Sequence, residues 1–323
     1  MSKLFTPAIC IALFFWGAAA VRAADDSNGP NFLEQHQRLQ PTHPAAGIDI
    51  RVDANMTLVP VTVTDDLGRN VRGLRKQNFR VFDGAEPRPI VSFSQQDAPV
   101  SVGLVFDCSR SMTDKFKTAR DAANELFHNL NPGDESFLVT ISDRAELRQK
   151  FTSNLADVEN ALVFTHPNGT TSLVDGVYLA LAQMKKAHNP RKALIVVSDG
   201  GDNNSRYTLR ELIDRAVEAD TMIYTIGIFQ NPQSVEEAEG PDLLKKLSDS
   251  TGGLPYAVQN IKDLCTTMAR IGITLHNQYL LGYYPPDNAP GGKYRRIRVE
   301  VLVPEGTPRL QIYARTGYYV PQR

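Results

Sequence analysis

Apolar and polar positions fall into three successive patterns along the chain. From 48 to 97 the signal is β. Leu58-Val59-Pro60-Val61-Thr62-Val63-Thr64 is rich in β-branched residues, and Asp66-Leu67-Gly68 marks a turn after it. Phe79, Val81 and Phe82 predict a second strand that ends at Asp83-Gly84, and Ile90, Val91 and Phe93 predict a third. Short strands at this spacing, separated by turn residues, predict an antiparallel sandwich sheet.

At residue 100 the period changes. Val100 to Phe106 is almost continuously apolar, as in a strand buried on both faces. Phe116, Ala119, Ala123, Leu126, Phe127 and Leu130 then recur at helical spacing until Asn131-Pro132-Gly133. Residues 136–141 predict a strand and 146–151 its hairpin partner. A helix carrying Leu173, Val177, Leu181 and Met184 follows, then a buried strand at 193–197. Leu209, Leu212, Ile213 and Ala216 mark the next helix and 222–228 the next strand. Leu243, Leu244 and Leu247 lie on a helix that ends near Gly252-Gly253, before a short strand at 256–258 and a helix over 261–275. Strands alternating with helices predict a mostly parallel sheet covered on both faces.

After 277 the β pattern returns, at 279–284, 296–303 and 310–314. Around Arg296 and Arg298, charge alternates with Ile297 and Val299, which suits a strand with one wet face. Both flanks are β-rich, and neither is long enough for a comfortable core of its own. The expectation is therefore one β-sandwich built from 48–97 and 277–323, with the α/β domain, 98–276, inserted between its halves. The tyrosines of the tail (Tyr279, Tyr283, Tyr284, Tyr313, Tyr318, Tyr319) are expected as sandwich core and rim.

Composition adds exclusions. The chain has 323 residues, of which 42% are apolar and 22% charged, as in an ordinary folded protein. Lysine plus arginine is 35 against 36 acidic residues, so no basic surface for nucleic acid is indicated. The first 23 residues stand apart. Lys3, the apolar stretch from Ile9 to Phe15 and Val21-Arg22-Ala23 predict a cleaved signal peptide, hence a periplasmic or secreted protein. No later apolar run is long enough to span a membrane. Residues 24–47 are polar and proline-broken, and are expected as a poorly ordered linker. Cleavage removes Cys10. Cys108 and Cys265 remain, and a bridge between them is the lesser expectation.

The chemistry concentrates at strand ends. Asp107-Cys108-Ser109-Arg110-Ser111-Met112 closes the first buried strand. A carboxylate and two hydroxyls at alternate positions share one side of an extended segment. Cys108 faces the other way, into packing. Such oxygens are hard ligands that suit magnesium, manganese or calcium, not zinc or copper. Ser198-Asp199-Gly200-Gly201-Asp202 directly follows the strand at 193–197. Asp107 and Asp199 thus fall at the C-terminal ends of two strands, where open α/β sheets bind ligands. Gly169-Thr170-Thr171-Ser172 offers a threonine hydroxyl to the same crevice.

In this order, these residues resemble the metal-ion-dependent adhesion site of von Willebrand factor type A domains. The resemblance covers about 98–275 and extends to Tyr224-Thr225-Ile226-Gly227-Ile228 and Thr251-Gly252-Gly253. The mature chain is also similar to a bacterial secreted group whose type A domain is flanked by β segments resembling Val61 to Phe93 and Arg315-Thr316-Gly317-Tyr318. The resemblance implies a Rossmann-like, doubly wound, mostly parallel six-stranded α/β sheet in the order 3-2-1-4-5-6. It implies that Ser109 and Ser111 bind a divalent cation directly, magnesium first, with manganese or calcium as alternatives. Thr171 would bind directly or through water, with Thr170 as the second candidate. Asp107 and Asp199 would act mostly through waters. One open position would take an acidic side chain of a protein partner, a binding mechanism and not catalysis.

Two other readings stand beside it: a metal-free scaffold in an envelope assembly, and a magnesium- or manganese-dependent hydrolase. The hydrolase is weakened by the lack of a general base within the motif. Arg110 stands where the family commonly has glycine. It either draws in an acidic partner or, as favoured, lies across the surface. Asp202 either holds a metal-bound water or is a solvated loop acid. No G-x-S-x-G, H-E-x-x-H or P-loop pattern occurs. The six histidines are scattered. The sequons at Asn168 and Asn203 flank the site, where glycans would crowd it, which favours a source that leaves them bare.

Overall fold

The β-branched run near the start of the chain forms β1 (Thr57–Thr64), whose Val59, Val61 and Val63 alternate into one core. The structure is a computed structural model and describes residues 56–95, 97–230, 235–286, 291–303 and 309–320, without the side chains of 235–239. The expected signal peptide and linker lie outside the described residues. Residues Ile50–Arg323 form one compact unit.

β2 (Phe79–Asp83) appears where expected. The third expected strand, over Ile90 to Phe93, is instead two short ones, β3 (Glu86–Arg88) and β4 (Ser92–Ser94), in different sheets. Pro89, between the two, marks the break: it has no N–H for a ladder, and the chain leaves one sheet there and crosses to the other.

The α/β layer then runs β5 (Val100–Asp107), α1 (Phe116–His128), β6 (Glu135–Ile141), β7 (Ala145–Thr152), α2 (Leu155–Val163), α3 (Leu173–Met184), β8 (Arg191–Ser198), α4 (Leu209–Glu218), β9 (Met222–Ile228), α5 (Val235–Thr251), β10 (Pro255–Val258) and α6 (Leu264–His276). The six-stranded sheet has the order β10-β9-β8-β5-β6-β7, with β7 antiparallel to β6 and the other pairs parallel. Counted within the layer, that is the order 3-2-1-4-5-6 the resemblance implied. Every residue of β5 is buried. Val102, Leu104 and Phe106 pack against α1 and α6, while Val105 faces α3 on the other side. Helix α2 was not anticipated. It buries only Val158 and Leu162, one turn apart, too thin a stripe to stand out as a period.

The chain closes with β11 (Tyr279–Tyr283), β12 (Tyr294–Val301), β13 (Gln311–Ala314) and β14 (Gly317–Tyr319). One sheet has the order β13-β1-β11-β4 and the other β14-β12-β2-β3. Each four-stranded sheet therefore mixes strands from both flanks of the α/β layer. Tyr279, Tyr283 and Tyr318 are buried in the core between them, and Tyr284 and Tyr294 are exposed. No helix among the described residues is long and apolar enough to cross a membrane.

Two buried polar knots hold the flanks in place. Fully buried Asp83 accepts hydrogen bonds from Arg295 Nε (2.5 Å), Tyr283 Oη (3.1 Å) and Tyr318 Oη (2.9 Å). That single carboxylate ties β2, β11, β14 and β12 together. The second knot joins the flank to the α/β layer. His276 Nδ1 lies 2.7 Å from Asp97 Oδ1, and its Nε2 lies 3.1 Å from Asp134 Oδ2 in a close ion pair. Asp134 also accepts from the N–H groups of Val100 and Asn131. Gln278, buried, donates from its amide to Tyr224 Oη (2.8 Å) and Thr62 Oγ1 (3.3 Å), and Arg315 reaches both Asp220 and Leu58 O.

Asp83→Ala leaves two tyrosine hydroxyls and a guanidinium without their acceptor, and should cost about 3 kcal/mol or more in a denaturant melt. A loss near zero would show that the knot is not structural. His276 gives a second expectation. Its burial lowers its affinity for a proton, but Asp134 and Asp97 together outweigh that and raise its pKa above the ordinary 6.5. A raised histidine contributes stability that is full below its unfolded value and lost as pH climbs through the folded one. The advantage of the wild type over His276→Gln should therefore be largest below about pH 6.5 and shrink above it, in melts from about pH 5 to about pH 9. An advantage independent of pH would contradict it.

Candidate metal centre

Asp107 ends β5 and Ser198 ends β8, and these strands are parallel neighbours. The chain leaves β5 toward β6 on one side and returns to β8 on the other. That reversal of strand order opens a crevice above the strand ends.

Within the crevice, the extended backbone stops at Ser109 (φ −68°, ψ 166°), and Arg110–Met112 form a 3-10 turn. The expectation of three side chains along one extended edge therefore fails beyond Ser109. The turn brings the Ser111 hydroxyl back to 3.0 Å from that of Ser109. Asp107 is fully buried. Its Oδ1 accepts from the Ser109 N–H (2.8 Å) and its Oδ2 from Ser198 Oγ (2.5 Å). Burial, then the negative charge of Asp199, pushes its carboxyl up to about 6 against these hydrogen bonds.

Asp199 is buried just past β8. Its Oδ2 lies 3.2 Å from Lys115 Nζ, and its Oδ1, also buried, has no hydrogen-bond partner. Gly200 turns sharply there at φ +86° and packs on Gly240 of α5. The turn is held from within by the Gly200 N–H, which donates to Ser198 Oγ (2.9 Å).

The 168–172 loop is tied to the same place. The Asn168 N–H donates to Cys108 O (2.8 Å) and the Arg110 N–H to Gly169 O (3.1 Å). Thr170 is exposed and spends both its N–H and its hydroxyl on Asp143 Oδ1, which holds that carboxyl below its usual range. Thr171 is buried. Its N–H donates to Asn203 Oδ1 (3.0 Å), and its carbonyl accepts from the N–H groups of Asn203 and Asn204. Between the two threonines, Thr171 is the one held against the 198–204 loop.

Asp202 is not a solvated loop acid but is partly buried. Its Oδ1 accepts from the Leu173 N–H (3.0 Å) and from Ser205 Oγ (2.6 Å), so it caps the start of α3. Arg110 is exposed, and its charge helps to hold the Asp143 carboxyl down, as a residue lying across the surface would. Cys108 is buried in the core beneath the turn, and its burial pushes the thiol far up, unlike a ligand. Both Cys108 and Cys265 are free thiols.

A divalent cation can be tested against this donor set. Among the described residues, no three His, Cys, Asp or Glu side chains gather to hold a metal. What gathers instead is two carboxylates, Asp107 and Asp199, with Ser109 and Ser111 beside Asp107 and Thr171 on the loop that adjoins the 198–204 segment. All are hard oxygens, suited to an ion that keeps some of its waters. The orphaned Asp199 Oδ1 is a buried acceptor that a cation would satisfy. The residues fit the group. Lys115 was missed in the sequence because no motif includes it. Its one signal is a cation at the N-cap of α1, where the helix dipole disfavours positive charge.

A family model of the von Willebrand factor type A domain matches residues 102–201. A solved von Willebrand factor type A structure from Catenulispora acidiphila aligns with a TM-score of 0.50 at 13% identity, over 74% of this chain and 73% of that one. At that identity the likeness speaks for the fold. The proximal thread matrix protein 1 of the mussel byssus, solved with a zinc-occupied MIDAS motif, aligns with a TM-score of 0.49 at 17% identity, over 60% of this chain and 49% of that one. An uncharacterized protein of Borreliella burgdorferi is 26% identical over 142 residues, 39% of this chain. The match spans 40% of that relative's length.

Gly200 provides a test of the crevice's construction. A Cβ there would lie 2.3 Å from Gly240 Cα, on a backbone already at positive φ. Gly200→Ala should destabilise the protein by more than about 1 kcal/mol in a denaturant melt. An unchanged melt would mean that the 198–202 loop does not depend on this contact.

Proposed function

We propose that the von Willebrand factor type A domain of this chain binds an acidic side chain of a protein partner through a divalent cation, outside the cytoplasm. The observation that carries this reading is the buried pair Asp107 and Asp199, with an unpartnered Asp199 oxygen, beside the paired hydroxyls of Ser109 and Ser111. Ser109, Ser111 and Thr171 would hold the cation, magnesium first, while Asp107 and Asp199 supply the charge that retains it. When bound, such a cation offers an open coordination position to a carboxylate oxygen. The chain's own part is to keep these oxygens converged. Asp107 is fixed by Ser198 and the Ser109 N–H, and Thr171 by Asn203. The reading calls for no bond breaking, which agrees with the general use of type A domains as adhesion or scaffold modules. Export rests on residues 1–23, with their Lys3, short apolar core and Val21-Arg22-Ala23.

One observation favours a second reading, the metal-free scaffold. Lys115 already supplies a cation to Asp199 at 3.2 Å. Calorimetric titration of magnesium, manganese and calcium into chelator-stripped protein separates the two. The metal-bridged reading expects one ion bound, with affinity reduced more than about tenfold in the Ser109→Ala, Ser111→Ala double variant. It also expects partner capture to be abolished by chelator. A wild type that binds no ion, or a double variant that binds as well as the wild type, would leave the scaffold reading in its place.

A further inference from the structure

Among the described residues, Lys115 stands in local conflict with its surroundings. Its side chain is 8% exposed and lies 3.2 Å from the Asp199 carboxylate, itself 1% exposed. A lysine loses more on burial than almost any other side chain, and this one also stands at the N-cap of α1, whose free N–H groups already make the place positive. The motif does not require it. Local choices that oppose propensity, burial and dipole together are expected at functional sites.

What the lysine gains there is charge balance. Asp107 and Asp199 are both buried, at the ends of neighbouring parallel strands. Without a cation at hand, two buried carboxylates at neighbouring strand ends repel each other in a medium of low dielectric. The ammonium addresses one oxygen of Asp199 and leaves Oδ1, buried and without a hydrogen-bond partner, for something else. We propose that Lys115 is a resident counter-ion that holds the site in the absence of metal, and that an arriving divalent cation must displace its ammonium from Asp199. The site is then graded, not empty or full: its metal affinity is set below what the same oxygens would give, so that occupancy follows the ambient ion concentration.

The inference rests on the metal-bridged reading of the site, and one experiment tells their failures apart. Magnesium and manganese are titrated by calorimetry into chelator-stripped wild type, Lys115→Met and Lys115→Gln, with thermal melts of each protein with and without saturating magnesium. Methionine keeps most of the buried stem, and glutamine provides a second, polar neutral variant in case one folds poorly. Removing a like charge at such a distance should tighten metal binding by about tenfold or more. The variants should melt lower than the wild type without metal and gain more from magnesium than it does.

If the wild type binds metal and both variants bind equally or more weakly, Lys115 is not a competitor and the inference falls, while the metal-bridged reading stands. If the wild type binds none and a variant does, the lysine closes the site outright, and both the graded occupancy and the metal-bridged reading fall. If none of the three binds, both fall.

Discussion

Two carboxylates buried at the ends of adjacent parallel strands set the terms for everything around them. Asp107 and Asp199 cannot be solvated where they stand, so each must be met by donors or by charge. The surrounding loops are organised to do this. Ser198 and the Ser109 N–H meet Asp107, and Lys115 meets Asp199. Other groups fix these donors in turn. Gly200 fits against Gly240, Asn203 holds Thr171, and Asp202 caps the helix that begins just after that threonine. A binding constellation needs such support from the residues behind it, because hydroxyls on unsupported loops would not stay converged.

The sandwich contributes at the other end of the same strands. Its contacts fall near the starts of β5, β6 and β9, through Asp134, Gln278 and their partners, while the crevice lies above the ends of β5 and β8. Anchoring one end of a parallel sheet leaves the loops at the other end free to carry chemistry without also carrying stability. The interlocking of the two flanks serves this purpose. β1 pairs with β11 and β2 with β12, so the strands on either side of the α/β layer close on each other through ladder bonds and through Asp83.

The sequence reported this architecture well wherever burial on two faces or one face leaves a period. The continuous apolar runs of β5, β8 and β9 and the helical stripes of α1 and α3 are such cases. The order of the sheet strands came from the family resemblance and not from the pattern, since periodicity carries no information about which strands are neighbours. The chain from Glu86 to Ser94 misled because Ile90, Val91 and Phe93 suggest a single strand while Pro89 breaks it between two sheets. α2 left too short a stripe to register. At the site, Asp107, Ser109, Ser111, Thr171 and Asp199 were legible as oxygen-bearing residues at strand and loop ends. The turn at Arg110–Met112 was not, because so short a local turn leaves no period, nor were the capping role of Asp202 and the approach of Lys115 to Asp199, because each depends on a partner far along the chain.

The charge of the crevice draws these observations together. Asp107 and Asp199 contribute two negative charges when ionised and Lys115 one positive, so these three side chains sum to one negative charge. Neutral hydroxyls from Ser109 and Ser111 can coordinate without changing that sum. A dication that displaces the ammonium from Asp199 just balances the two carboxylates, so an anionic side chain from outside would meet no net negative charge and have the cation itself as its nearest counter-charge. Had a third carboxylate stood in place of either serine, the balance would turn negative and repel an acidic partner. The pairing of two buried acids with hydroxyls and a lysine is thus better suited to passing charge outward than to sequestering an ion.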